Sequence, residues 1–325
     1  MPGTRLSRRR TLAALAAAGL PPLHAQPAFP QRAITLVVPF GAGGIADLMA
    51  RAVAEQMARQ LGQPVVVDNR PGAGSIVASQ AVARAAPDGH TLLLMSNGHA
   101  VSVGLYRRLP VDPRQAFVPV TLLGSFDLGL FVAAGSRFRT LAELLSFARA
   151  QPGRVTVGSI APGSTQHLAA RLFETSAGIE TLPVPYNGSP ALLGALRGGQ
   201  VDLACEILGP MLPQLQAGAV RALALTGSQR NPALPDVPTV AEAGVPGYAV
   251  SSWNGLAAPA GTPAPVLQRL AEAAQAALAT PAVRDRMAAL GVRLQGSTPA
   301  EMQALLVREI DRWGEVIRRA GITAD

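Results

Sequence analysis

Residues 33–47 read AITLVVPFGAGGIAD, and this stretch decides the fold. The run 34–38 is rich in β-branched residues and is typical of a strand that is buried on both faces of a parallel sheet. Glycines break the strand at positions 41, 43 and 44, and from Ile45 to Leu61 apolar residues recur at helical spacing. A strand followed by a tight turn and a helix begins a βαβ unit, so the segment predicts an α/β protein.

The same alternation recurs along the chain in two series. The first series adds strands at 65–67 and 91–95, with a helix at 75–86 between them. The second series predicts strands at 128–134, 155–157, 182–184, 201–205 and 222–226, and helices at 141–150, 164–177 and 190–198. The final third predicts two helices, 263–279 and 299–320, that have no strands of their own, so these helices must pack on an earlier sheet. The 325 residues therefore predict two α/β lobes, one of residues 128–250 and a discontinuous one of 26–127 plus 251–325.

Composition excludes several classes of enzyme. All 28 basic residues are arginine, and a chain without lysine cannot form a Schiff base, bind pyridoxal phosphate through a lysine, or build a lysine-dependent P-loop. Cys205 is the single cysteine, which excludes an internal disulfide and a cysteine-rich zinc site. The four histidines form no HExxH motif, and no GxSxG occurs. We predict no catalytic residue, no metal site and no cofactor.

The first 25 residues are predicted to be an export signal. Arginines at positions 5, 8, 9 and 10 precede an apolar stretch, 11–20, that is too short to span a bilayer. The Ser-Arg-Arg step at 7–9 resembles a twin-arginine signal, and a disordered basic tail is the alternative. Beyond residue 25, 24 arginines and 20 acidic residues give a net charge of +4, without a basic run interleaved with aromatics, so nucleic acid is not an expected partner. The sequence predicts an exported protein of a bacterial periplasm.

Three loops lie where α/β proteins bind ligands, beyond the carboxyl ends of strands and before helix N-termini. They are residues 39–47, 96–100 and 158–167, and none contains an arginine. Backbone N–H groups, hydroxyls and bridging waters are therefore expected to hold an anion there, with the positive ends of helix dipoles behind them. This arrangement favours reversible binding of a carboxylate, because an unpaired cation in an empty buried site would be costly.

The first loop also fits a second hypothesis. Gly41-x-Gly43-x-x-Ala46 follows a strand and opens a helix, and Asp68 ends the next strand, which is the fingerprint of a dinucleotide-dependent oxidoreductase. The export signal argues against this enzyme, since nicotinamide dinucleotides are cytoplasmic cofactors.

Motifs along the whole mature chain resemble one family. They are PFxxGGxxD at 39–47, NRPGAG at 69–74, PDGHTL at 87–92, GxxxHLA at 163–169, VPYxGS at 184–189, GGQVD at 198–202 and APxGTP at 258–263. This series resembles the substrate-binding proteins of tripartite tricarboxylate transporters, the Bug family. The resemblance implies a type II, Venus-flytrap periplasmic binding protein: a monomer without enzymatic activity that closes over a small organic carboxylate and delivers it to a membrane permease. A ligand-presenting subunit of a sensor system is the alternative.

The resemblance also implies where the ligand binds, between the glycine loop at 40–45 and a facing loop at 159–165, with strands near 126–132 and 248–254 joining the lobes. With polar positions at nearby loop ends, the predicted ligand-binding residues are Phe40, Gly41, Ala42, Gly43, Gly44, Ile45, Asp47, Asn97, His99, Ser159, Gly163, Ser164, Thr165, Tyr186, Gly188, Ser189 and Glu206. The family usually has proline at position 42 and a phenylalanine–aspartate pair at positions 205–206. Glu206 is therefore expected either to accept a ligand ammonium or to select against a second carboxylate.

Some of these residues have a structural alternative. Asp47 either steadies the first helix and its loop or contacts the ligand. His99 and His167, predicted on opposite lobes, either pack in the interior or form a catalytic pair. Trp253 either lines the cleft or fills the core between the lobes.

Overall fold

The chain folds around one twisted sheet that has two halves. The structure is a computed structural model, and it describes residues 29–72, 75–160 and 164–322. The predicted export signal, residues 1–25, lies outside the described residues.

Within these ranges the chain alternates between ten strands and eleven helices. The strands are β1 (Ile34–Val38), β2 (Val65–Asn69), β3 (Thr91–Ser96), β4 (Phe117–Ala133), β5 (Thr156–Ile160), β6 (Leu182–Tyr186), β7 (Leu203–Ile207), β8 (Val220–Leu225), β9 (Ser251–Pro259) and β10 (Val292–Leu294). The helices are α1 (Ile45–Leu61), α2 (Ile76–Ala83), α3 (Asn97–Leu105), α4 (Pro113–Ala116), α5 (Leu141–Ala150), α6 (Thr165–Ala177), α7 (Ser189–Arg197), α8 (Leu208–Gln216), α9 (Ala264–Ala279), α10 (Pro281–Ala288) and α11 (Pro299–Ala320).

The long strand β4 joins the two halves of the sheet, whose order is β2-β1-β3-β9-β4-β7-β5-β6. Its first part pairs antiparallel with β9 and β10, and its last part pairs with β7 and β8. We call β2, β1, β3, β9, β10 and the start of β4 the first half-sheet, and the remaining strands with the end of β4 the second half-sheet. The change of partner falls between Asp127, opposite Ser251, and Leu128, opposite Ile207. The limits of the two lobes stay a prediction.

Parallel pairing confirms the α/β prediction. Strand β1 pairs in parallel with β2 and β3, and β5 does so with β6 and β7. Because carboxyl ends of parallel strands meet at one edge, the helices that follow β1, β3, β5 and β7 begin on the side of the sheet where a ligand is expected.

The expectation that the last two helices have no strands of their own is wrong. Strand β10 pairs antiparallel with β4, with Val292 opposite Phe126, and an additional helix, α10, precedes it. Gly291, at φ 68°, makes the turn between them in the left-handed region that favours glycine. Three residues of strand are too few to show a period of two in the sequence.

Helix α11 closes the fold against both half-sheets. It begins with a capping box, in which Thr298 and Glu301 each accept the backbone N–H of the other. Its apolar face is buried as predicted, including Met302, Leu306 and Trp313, and it packs against α3, β4 and α6. In the part of the chain that the structure describes, no helix is both long and apolar enough to cross a bilayer.

Candidate functional site

Five helices begin at one cavity between the two half-sheets. This cavity, which we call the cleft, has a volume of about 470 Å³. The N-cap residues of α1, α2, α3, α6 and α8 all line it: Gly44, Ser75, Ser96, Ser164 and Ile207. The first three helices follow strands or loops of the first half-sheet, and the last two follow β5 and β7 of the second.

The cleft offers positive dipole ends without a cation. The N-cap residues of helices α1, α2 and α8 make no side-chain cap hydrogen bond, so the first backbone N–H groups of these helices are left without that acceptor at the cleft. The described residues that line the cleft include no aspartate, glutamate, histidine, lysine or arginine. A bound anion would therefore take its hydrogen bonds from backbone N–H groups and from hydroxyls such as those of Ser75 and Thr165.

The glycine loop is held in place by Asp47. This carboxylate is 2% exposed and accepts hydrogen bonds from the Gly43 N–H (2.9 Å), from Arg51 (3.0 Å) and from Asn69 (3.0 Å). Asn69 also donates to the Phe40 carbonyl at 3.0 Å, which fixes the other end of the loop. Burial by itself raises the pKa of Asp47, but the hydrogen bonds from Arg51, Gly43 and Asn69 lower it below its usual range. Asp47 therefore shapes the loop from behind and does not line the cleft.

The walls of the cleft are largely apolar. Ile45, Val101, Leu105, Phe126 and Ile160 line it together with polar groups at the helix starts. A ligand that fits these walls carries an apolar carbon skeleton as well as an anionic end.

The structure brings some of the predicted site residues to the cleft. Those that line it are Phe40, Gly41, Gly44, Ile45, Ser164 and Thr165. The described residues that do not line it are Ala42, Gly43, Asp47, Asn97, His99, Ser159, Tyr186, Gly188, Ser189 and Glu206. Gly163 lies outside the described residues.

Asn97 and His99 lie behind the surface of the cleft, where they support residues that line it. Asn97 is fully buried, donates to Thr165 Oγ1 at 3.1 Å and accepts the Trp313 indole N–H at 2.8 Å. His99 Nδ1 accepts the Ser96 N–H at 3.0 Å and completes the capping box of α3. Burial lowers the pKa of His99 to about 4, so the ring is neutral near pH 7.

Glu206 lies under the floor of the cleft at the end of β7. It is 1% exposed, and its Oε1 accepts from Gln166 Nε2 (2.9 Å) and from the Ile207 N–H (2.7 Å). Its Oε2 has no partner among the described residues. Burial raises the pKa of Glu206, with the hydrogen bond from Gln166 opposing the shift.

Sequence reasoning missed one wall of the cleft. Val101, Ser102, Leu105 and Tyr106 line it from a single face of α3, beyond the predicted loop 96–100. Their spacing of three and four residues is the signal that could have found them. Ser252 and Asn254, on β9, also line the cleft, but β9 pairs antiparallel with β3, so the rule for carboxyl ends of parallel strands does not reach them.

A cleft ringed by helix N-termini, between two half-sheets that share long strands, defines a receptor of the periplasmic-binding-protein fold. Residues 49–322 match the family described as "Tripartite tricarboxylate transporter family receptor", and the chain belongs to that family. The prediction made from the motifs is thereby confirmed.

Relatives resemble this chain along nearly its whole length. The "UPF0065 protein in tcbD-tcbE intergenic region" of Pseudomonas sp. (strain P51) is 41% identical over 316 residues, which is 96% of this chain and 94% of that protein. An R. palustris protein solved with adipate has a TM-score of 0.83 and 38% identity, covering 91% of this chain and 99% of that one. MatC from Rhodopseudomonas palustris, solved with bound malate, has a TM-score of 0.79 and 37% identity, covering 89% and 100%.

Proposed function

We propose that this chain is a periplasmic solute-binding protein that holds a small organic carboxylate in the cleft and delivers it to the membrane permease of a tripartite transporter. The observation that carries the proposal is the convergence of five helix N-termini on a cavity whose described lining has no charged side chain. Such a site neutralises an anion through backbone dipoles and still tolerates being empty.

Both half-sheets contribute to the cleft, so a bound acid is contacted on two sides. A ligand that makes more contacts when the half-sheets approach shifts the population toward the closed form. We assign residues 26–127 and 251–325 to one lobe and 128–250 to the other. This division is supported by the change of partner of β4 at Asp127–Leu128.

The apolar walls narrow the ligand class to acids with a hydrocarbon skeleton. The two R. palustris relatives were solved with adipate and with malate, both dicarboxylates. We propose that Glu206 influences ligand choice without contacting the ligand. Its carboxylate accepts hydrogen bonds from Gln166 Nε2 and from the Ile207 N–H, and both of these residues line the cleft.

We further propose that the receptor is a monomer, has no enzymatic activity and does not bind nucleic acid. Residues 1–25 are proposed to be its export signal, of the twin-arginine type. The membership in a receptor family and the arginine pair at positions 8 and 9 support them. The oxidoreductase alternative receives no support from the family.

Isothermal titration of the ligand-free protein with adipate and with malate tests the proposal. Gly43 has φ +86°, so valine there strains the loop whatever space surrounds it. Gly43→Val is expected to abolish binding, while urea unfolding shows a stability loss of only about 1–2 kcal/mol. The proposal is contradicted if the protein binds neither adipate nor malate nor any acid in a wider panel of carboxylates. Unchanged affinity in Gly43→Val also contradicts it.

A further inference from the structure

The cleft is elongated, because one helix lines it from its first turn to its last. The N-cap of α3, Ser96, lines the cleft, and so does its C-cap, Tyr106. The residues of α3 that line the cleft between these two caps are Gly98, Val101, Ser102 and Leu105. A helix rises 1.5 Å per residue, so Gly98 and Tyr106 lie about 12 Å apart along the axis. The cleft therefore fits an extended ligand that lies along α3.

Helix N-termini gather at the end of the cleft where α3 begins. A Cβ on Gly98, in the first turn of α3, would lie 3.2 Å from Oγ of Ser75, the N-cap of α2. Asn97 Nδ2 donates to Oγ1 of Thr165, the first residue of α6, at 3.1 Å. The start of α1 lies at the same edge of the sheet, because β1 and β3 are parallel neighbours. This end of the cleft is therefore the one that favours an anion.

The opposite end, at the C-terminus of α3, offers no positive charge. The last turn of α3 has no basic residue, and Arg107 and Arg108, which follow it, are exposed and do not line the cleft. The C-terminal end of a helix carries negative partial charge. The apolar side chains of Val101 and Leu105 lie on this side, and the Ser102 hydroxyl donates to a carbonyl of its own helix at 2.9 Å. A carboxylate here would lose its water without gaining a cation, whereas an apolar chain fits.

Several donors at the end where α3 begins are already used within the protein. The N-cap serines of α3 and α6, Ser96 and Ser164, accept backbone N–H groups of their own first turns at 3.2 and 3.1 Å. At the start of α8, the Ile207 N–H donates to the buried carboxylate of Glu206 at 2.7 Å. The N-cap residues of α1 and α2 make no side-chain cap hydrogen bond, so backbone donors of these two helix starts are left for a ligand. This set of donors suits one carboxylate and not two.

We propose that the cleft selects a monocarboxylic acid with an extended apolar chain over a dicarboxylic acid of the same length. The carboxylate binds at the starts of α1 and α2, and the chain runs along α3 toward Leu105 and Tyr106. This inference rests on the proposed function, because it names the class of acid that the cleft takes. The expected preference differs from the ligands of the two R. palustris relatives, which are dicarboxylates.

Calorimetric titration of the ligand-free protein with octanoate and with suberate tests the preference. The two acids have the same number of carbon atoms and differ in the second carboxylate. At about pH 8, where all of their carboxyl groups are ionised, octanoate is expected to bind about tenfold more tightly than suberate, or better. In the series butyrate, hexanoate and octanoate, the affinity should rise about threefold to fourfold for each added CH₂ group.

Two variants of α3 locate the chain of the acid. Leu105→Ala removes part of the wall far from the helix starts and should weaken octanoate binding about fivefold or more. Butyrate is too short to reach Leu105, so its affinity should stay within about twofold of the wild-type value. Val103→Ala is the matched control, because Val103 belongs to the same helix but does not line the cleft, and it should leave both affinities unchanged. Urea unfolding without ligand shows whether each variant is folded.

The inference is overturned if suberate binds as tightly as octanoate, or if the affinity does not rise with chain length; in both cases the proposed function stands. Equal losses for octanoate and butyrate in Leu105→Ala overturn it as well. If no acid of the panel binds, the proposed function fails together with it. If Leu105→Ala does not fold, Tyr106→Arg takes its place: a cation at this end should raise the affinity for suberate relative to octanoate about tenfold, and an unchanged ratio overturns the inference.

Discussion

The hydrogen bond between Asn97 and Thr165 ties the two half-sheets together across the cleft. Its donor lies at the start of α3 and its acceptor at the start of α6, with Nδ2 and Oγ1 3.1 Å apart. Thr165→Val keeps the shape of the side chain and removes the hydroxyl, so the Asn97 amide, at 0% exposure, loses its acceptor. A buried donor left unpaired costs about 1–3 kcal/mol. Because the two residues belong to different half-sheets, we expect this cost to fall on the closed form and to raise the Kd roughly 5- to 150-fold.

Isothermal titration with adipate or malate measures this effect. Thr165→Ser is the matched control: it keeps the hydroxyl and should bind within about twofold of the wild-type protein. Urea unfolding without ligand shows whether each variant is folded. Unchanged affinity in Thr165→Val, or an equal loss in Thr165→Ser, would refute the assignment of this hydrogen bond as the tie between the half-sheets.

Three further substitutions test other parts of the site. Asp47→Asn should lower the free energy of unfolding at neutral pH by about 1.5–3 kcal/mol, since charge-assisted hydrogen bonds are lost. Because folding lowers the pKa of Asp47, the difference between the variant and the wild-type protein should shrink below about pH 4. Urea unfolding at several pH values measures this difference, and a constant difference contradicts the prediction. Burial raises the pKa of Glu206, so the stability that its protonated form provides is fully present below about pH 4 and is lost as the pH rises. Glu206→Gln should therefore gain stability relative to wild type as the pH rises above about 4, and an opposite trend in urea unfolding contradicts this. Gly209 lies at the start of α8, where an added Cβ would come within 2.6 Å of Ile45 Cδ1, at the start of α1. Gly209→Ala should therefore weaken ligand binding in calorimetry without a matching loss of stability. Wild-type affinity in this variant contradicts a close approach of the two helices at this point.

Local sequence predicts the elements whose signals are local. Helices α1 and α5 run from Ile45 to Leu61 and from Leu141 to Ala150, as predicted, because each has an apolar stripe of several turns. Strand β4 begins at Phe117, eleven residues before the predicted start at 128. Pro119 lies in the part of β4 that was not predicted. A proline within an apolar run argues against a central strand as long as the pairing of that strand is unknown. Helix α8 follows β7 without a break, so nothing in the sequence separates strand from helix.

The cleft was predictable to the extent that strand ends mark it. Most of the glycine loop, together with Ser164 and Thr165, follows parallel strands and lines the cleft. The support behind them was not predictable, because it depends on pairs that are distant in sequence. Asn97 accepts a hydrogen bond from Trp313, 216 residues away, and no local pattern announces that partner.

The charge pattern of the cleft explains how one site can both capture and release an acid. Each helix N-terminus stabilises an anion by about 0.3–1 kcal/mol, so five termini supply roughly 1.5–5 kcal/mol. An arginine in the same place would bind more tightly, but it would remain unpaired in the empty protein and would carry its own desolvation cost. The backbone dipoles instead point at the cleft whether or not ligand is present, and their effect depends on how closely α6 and α8 approach α1, α2 and α3. Separation of the half-sheets removes part of the stabilisation at once, together with the Asn97–Thr165 hydrogen bond. On the proposed function, we therefore expect the geometry of closure to set the affinity, so that a partner that holds the half-sheets apart would empty the cleft without competing for the acid itself.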